Sequence, residues 1–134
     1  MGAGFTATGD GAALRTPYGA WPGYFSLQER DFDRAREKAW GVAARYDFGT
    51  GTLLPGVRIP GLVVLVRYAE GEDAINASTG AELPMVREGD FDVTWDIPGV
   101  RGLQFRFRNA YVAESGERVL QGFRLMLNYE LPVL

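Results

Sequence analysis

The stretch LQFRFRNAY, residues 103–111, constrains what this chain can fold into more than any other. Successive side chains of an extended strand point to opposite faces. Leu103, Phe105, Phe107 and Tyr111 therefore share one face, and Gln104, Arg106 and Arg108 share the other. One surface avoids water and the other needs it. A fold built of such strands has to give each face a different surrounding.

The same alternation recurs along the chain. A short strand is expected over 4–8, GFTAT. Over 39–48, Trp40, Val42, Ala44, Tyr46 and Phe48 stand opposite Gly41, Ala43, Arg45 and Asp47. Over 61–70, Leu62, Val64, Val66 and Tyr68 share a face that Arg67 leaves. Over 89–97, Phe91, Val93, Trp95 and Ile97 oppose Asp90, Asp92, Thr94 and Asp96. The strands over 103–112 and 119–131 complete the set. In the last, Phe123, Leu125, Leu127, Tyr129 and Leu131 oppose Gly122, Arg124, Met126 and Asn128. The pattern predicts an all-β, antiparallel chain of six strands forming one domain over 1–134. The only helical candidate is SLQERDFDRAREKAW, where Ser26 and Glu29 have capping-box spacing.

Composition removes several function classes. The chain has no cysteine and no histidine, so disulfides, thiolate chemistry and the commonest general base are missing. An enzyme is not expected, nor a cofactor or a metal site. Asp90, Asp92 and Asp96 alternate along a strand instead of curling around a calcium ion. A net charge of −3 gives no basic balance toward nucleic acid. No apolar run reaches the length of a transmembrane helix, and MGAGFTATGDG lacks the regions of a signal peptide. That same stretch lacks the strand and helix a phosphate loop requires. Asn76-Ala77-Ser78 matches a glycosylation sequon, a pattern frequent by chance.

Simple hairpins provide a register test. Centring the fourth and fifth strands on Val100 sets Trp95 against Phe105, Val93 against Phe107 and Asp92 against Arg108. Centring the fifth and sixth on Gly116 sets Phe107 against Leu125 and Leu103 against Tyr129. Apolar residues meet apolar residues throughout. Aromatic residues then gather at two heights. Trp40, Tyr68, Phe91, Tyr111 and Phe123 lie toward the long connections. Tyr46, Phe48, Trp95, Phe105 and Tyr129 lie toward the short ones. Two aromatic belts around an aliphatic band suit the two interfaces of a bilayer. Long and short connections broadly alternate, as in a transmembrane barrel, although ESGER is short where length is expected.

Two readings follow from the residues alone. In one, the apolar face meets lipid and the charged face lines a water-filled lumen. In the other, a soluble antiparallel sheet buries the apolar face under a second layer and binds a small ligand or a protein partner. In the first reading Arg45, Arg67, Arg106, Arg108 and Arg124 line the lumen and guide anionic groups. Within that hydrated interior they are also expected to pair with Asp47, Asp90, Asp92 and Asp96.

The blocks PGYFSLQERDFDRAREKAWGVAARYDF, PGLVVLVRYAEGED, LQFRFRNAYV and FRLMLNYELPVL are similar to the corresponding regions of OprD-family outer-membrane porins of Gram-negative bacteria. The resemblance runs from about Gly4 to Leu134. It implies a transmembrane barrel of about 18 strands, often trimeric, of which this chain supplies the C-terminal six. Six strands are too few to close a pore, since about eight is the smallest single-chain number, so N-terminal strands are expected elsewhere. The implied function is passive uptake of small carboxylate-bearing solutes, amino acids or organic and aromatic acids, across the bacterial outer membrane. The expected partners are small anionic or zwitterionic solutes and outer-membrane lipid, with a possible homo-oligomer. The expected substrate-guiding residues are Arg45, Arg67, Arg106, Arg108, Arg124, Asp92 and Asp96. The expected lipid-interface aromatics are Trp40, Tyr46, Tyr68, Trp95, Tyr111 and Tyr129. Tyr18, Trp21, Tyr24 and Phe25, in the connection 9–38, are expected at the extracellular mouth. Glu130 and Pro132 break the lipid-facing phase before Leu134, where such barrels commonly end on an aromatic residue.

Overall fold

The computed structural model describes residues 1–14, 25–52, 56–117 and 119–131. Six strands follow in chain order: β1 (Gly2–Ala7), β2 (Lys38–Asp47), β3 (Leu62–Glu72), β4 (Val86–Asp96), β5 (Leu103–Glu114) and β6 (Leu120–Tyr129). Each pairs antiparallel with the next, giving one sheet in the order β1-β2-β3-β4-β5-β6. Strands β2 to β6 run 10 to 12 residues. About 9–11 residues of tilted strand suffice to cross a bilayer.

The register follows the alternation. Trp95 lies against Phe105, Val93 against Phe107 and Asp92 against Arg108. Phe107 lies against Leu125 and Leu103 against Tyr129. Two tight connections enforce this. Gly99 and Gly102 turn one with positive φ, and Gly116 turns the other. A one-residue slip would move every arginine onto the apolar face.

Burial is inverted relative to a water-soluble sheet. On the apolar face Phe123 is 70% exposed, Leu125 62% and Leu127 70%. No layer among the described residues covers that face. Burial is concentrated on the charged face, where Ala39, Ala69, Val86 and Val112 cluster with Phe25 and Phe32, and Ala110 is also buried. An exposed apolar surface of this extent calls for a non-aqueous neighbour.

Segment 25–37 departs from expectation. It is not helical. Ser26 bridges Asp31, the Leu27 amide donates to the Arg30 carbonyl, and the Phe32 amide donates to the Phe25 carbonyl. Arg36 turns the chain with φ 61°. The capping-box groups are committed elsewhere, because the Gln28 and Glu29 amides donate to Glu88 and the Glu29 carboxylate takes Arg124. The segment lies across the charged face like a strap. Phe25, expected at the mouth, is buried over Gly4 and Gly41, where a Cβ would meet its ring. Tyr18, Trp21, Tyr24, Arg118, Pro132 and Leu134 lie outside the described residues.

Strand limits shift by a few residues. β4 begins at Val86, and β3 continues to Glu72, shortening their connection to 73–85. On the apolar face, Trp40 and Tyr68 touch with ring centroids 5.4 Å apart at the long-connection end. Tyr46 and Phe48 meet edge to face, 4.7 Å apart, at the other end. Trp95 donates its indole N–H to the Pro60 carbonyl, and Tyr111 and Tyr129 remain exposed.

Candidate functional site on the charged face

The register places all seven expected guiding residues on one face. Arg45, Leu65, Asp92, Arg108 and Arg124 form one row across β2 to β6. Arg67 stands beside Asp90 in the row toward the long connections. Arg106 lies one row toward the short turns, opposite Thr94, and Asp96 lies opposite Gln104 beyond it. Alternation alone is enough to align them, because every strand is in phase with its neighbour.

The ion pairs are specific. Asp92 is 3% exposed and accepts from both Arg106 and Arg108. Arg106 binds it through two nitrogens, Nε at 3.0 Å and Nη2 at 2.5 Å. Arg108 adds Nε at 3.0 Å. Such charge-assisted, two-pronged contacts hold guanidinium planes in fixed orientations. One carboxylate thus serves two cations and leaves a positive surplus. Arg67 pairs with Asp90 at 2.6 Å. Arg124 turns to Glu29, also at 2.6 Å, instead of to a strand aspartate. Asp96 accepts from Gln104, and Asp47 accepts the Gly49 amide. Arg45 is exposed and has no ion-pair partner among the described residues. It lines a recess with Leu65, Asp92, Thr94, Asp96 and Arg106.

The strap completes the site, and sequence reasoning missed its anchors. Glu88 is fully buried, and its Oε1 accepts the Gln28 amide at 2.8 Å and the Glu29 amide at 2.9 Å. Glu37, 1% exposed, accepts Arg34 through its backbone amide, Nε and Nη2. Arg34 also donates to the Pro84 carbonyl, and Arg67 to the Ser26 carbonyl. A Cβ at Gly71 would collide with Glu37 and Phe32, so glycine there makes the seat. Glu88 continues the Asp90–Asp92 alternation, which is the signal that would have found it. Within the strap, burial and the nearby Asp31 and Glu37 carboxylates push the Asp33 carboxyl above its ordinary range. Beyond β3, the Lys38 ammonium at 2.7 Å holds Asp73 below that range. Among the described residues no acidic group gathers three ligands for a metal ion.

The arrangement is a plate of fixed guanidiniums and carboxylates on a sheet whose reverse side is apolar. It can orient and pass a charged solute, and it offers no nucleophile activated by a base. Known proteins share its sequence and fold. The sequence profile described as outer membrane porin, OprD family, matches residues 16–133. Porin D of Pseudomonas aeruginosa is 29% identical over 125 residues, covering 81% of this chain and 27% of that protein. The crystal structure of P. aeruginosa OccK9 (OpdG) is 31% identical, with a TM-score of 0.67, over 81% of this chain and 26% of that one. That of P. aeruginosa OccK10 (OpdN), 24% identical, shares the fold with a TM-score of 0.79 over 98% of this chain and 37% of that one. The chain thus spans about a quarter of the length of the curated relative it matches.

Proposed function

This chain belongs to the OprD family of outer-membrane porins, and from that premise we propose that it builds one wall of a substrate-specific channel for small carboxylate-bearing solutes. Its place is the outer membrane of a Gram-negative bacterium, and its relatives are channels rather than enzymes. In this reading it is the C-terminal six strands of a barrel of about 18. The remaining strands, with further copies in a trimer, are its partners.

The observation that carries the substrate class is the surplus of guanidinium around Asp92. Arg106 and Arg108 share that one carboxylate, and Arg45 stands unpaired among the described residues in the same recess. A passing carboxylate meets pre-oriented donors whose charge is not fully cancelled. Asp92 keeps Arg106 and Arg108 in place, and Asp96, held by Gln104, receives the ammonium end of a zwitterion. P. aeruginosa OpdK, 26% identical to this chain, has been solved with vanillate, a carboxylate on an aromatic ring. The lipid side of the reading rests on Trp40, Tyr46, Tyr68, Trp95, Tyr111 and Tyr129, which flank the exposed aliphatic band.

The test is Arg106→Ala with Arg108→Ala in the assembled barrel that carries this chain. Uptake of a monocarboxylate such as vanillate is compared with that of its neutral alcohol analogue. A several-fold loss is expected for the acid alone, in line with the roughly 1 kcal/mol a nearby unit charge contributes in a hydrated site. Equal changes for both solutes would remove charge from the selectivity.

A further inference from the structure

We infer that Glu88 is a positioning residue, the peg that fixes segment 25–37 on the channel wall and thereby decides which arginines face the solute. The inference rests on the charged face being the solute path. Glu88 stands between Ala69 and Val112 in its row and has no cationic partner among the described residues. Its Oε1 is held by two successive strap amides, while its Oε2 and the neighbouring Asp90 Oδ1 are buried without a hydrogen bond. A buried carboxylate whose hydrogen bonds come from two backbone amides favours the state in which those amides are present.

The wall is shaped to receive the strap. Gly4 and Gly41 leave room for the Phe25 ring, and Gly71 leaves room for Phe32 and Glu37. Once seated, the strap sorts the arginines. Glu29 neutralises Arg124, and the Ser26 carbonyl together with Asp90 occupies Arg67. Arg45, Arg106 and Arg108 receive nothing from the strap. The docked strap therefore masks the arginines nearest to it and leaves those around Asp92 open. Lifting it would widen the passage and add Arg124 to the accessible cations.

The experiment uses the assembled porin in membranes, with three readouts: trypsin cleavage after Arg30, single-channel conductance, and reversal potential in a KCl gradient. Each of the two amide bonds is worth roughly a factor of ten. Glu88→Ala is therefore expected to speed cleavage about a hundredfold, raise conductance and move the reversal potential toward anions. Glu88→Gln is expected to stay close to the parent, since its carbonyl still accepts both amides and its amide N–H can donate to Asp90 Oδ1. Glu29→Gln removes only a half-exposed pair with Arg124, so it is expected to move the reversal potential toward anions and to speed cleavage by no more than about fivefold. Gln28→Pro deletes the N–H donated to Glu88 together with the side-chain bond to the Asn109 carbonyl and serves if the Glu88→Ala barrel does not assemble; at least tenfold faster cleavage is expected. Unchanged cleavage in Glu88→Ala or Gln28→Pro overturns the assignment, as does equal release by Glu88→Ala and Glu88→Gln. None of these readouts uses a carboxylate solute, so a failure of the substrate class would appear separately, in uptake.

Discussion

Replacing Asp92 with Asn removes one negative charge from the centre of the arginine row and turns one of its two acceptor oxygens into an N–H donor. The side chain keeps its size and one acceptor oxygen, at a position only 3% exposed. Arg106 and Arg108 retain side-chain exposures of 35% and 19%, so their freed charge reaches the solution. An ion passing roughly 8 Å away feels a change of about 0.5 kcal/mol at the dielectric constant of water, and about 2 kcal/mol at an effective value near 20. Anion permeability should therefore rise, and cation permeability fall, by about two- to thirty-fold each. The assay is the reversal potential of single channels in a KCl gradient at about 0.1 M, where screening extends over roughly 10 Å. At about 1 M the screening length falls to roughly 3 Å, and most of the effect should vanish. A shift toward cations, or no shift at low salt, would refute the claim that Asp92 is the shared counter-ion of an open arginine pair.

Two other outcomes follow from the same geometry. Leu125→Arg places a cation in the middle of the lipid-facing band and should cost about 2–4 kcal/mol of folding free energy in lipid vesicles; Met126→Arg, one residue on but facing the lumen, should cost far less, and equal costs would contradict the assignment of faces. Asp33 has a raised pKa in the docked strap, so its ionised form opposes docking at neutral pH. That opposition fades as pH falls through the raised value and is gone below the ordinary value near 3.8. Conductance fluctuations from strap movement should therefore decline on acidification, and Asp33→Asn should flatten that dependence.

The sheet was legible because its information is local and repeated. Trp95 against Phe105 and Phe107 against Leu125 follow from alternation plus two tight glycine turns, with no long-range inference needed. Family membership could likewise be recognised in ungapped strand blocks. The strap was not legible, for the opposite reason. Ser26 and Glu29 have the spacing of a helix start, yet the amides of Gln28 and Glu29 are satisfied by a carboxylate about sixty residues away. Tertiary partners overrode a local signal. Glu88 was passed over because burial is usually sought among apolar residues, and here it is the charged face that is covered. The pairing of arginines was readable only as a pool. Asp47 and Asp96 looked equivalent to Asp90 and Asp92, but the first two serve Gly49 and Gln104, while Glu29 arrives from the strap to take Arg124.

The central claim is that the apolar face meets lipid and the charged face meets water. Tryptophan emission in vesicles carrying brominated acyl chains tests it most directly, in the assembled barrel with Trp21→Phe to silence the third indole of this chain and Phe in place of any tryptophan in the remaining strands. Trp40 and Trp95 should both be quenched, while Met126→Trp, added after Phe replaces those two, should not. Quenching at Met126→Trp with Trp40 and Trp95 unaffected would reverse the two faces and contradict the account.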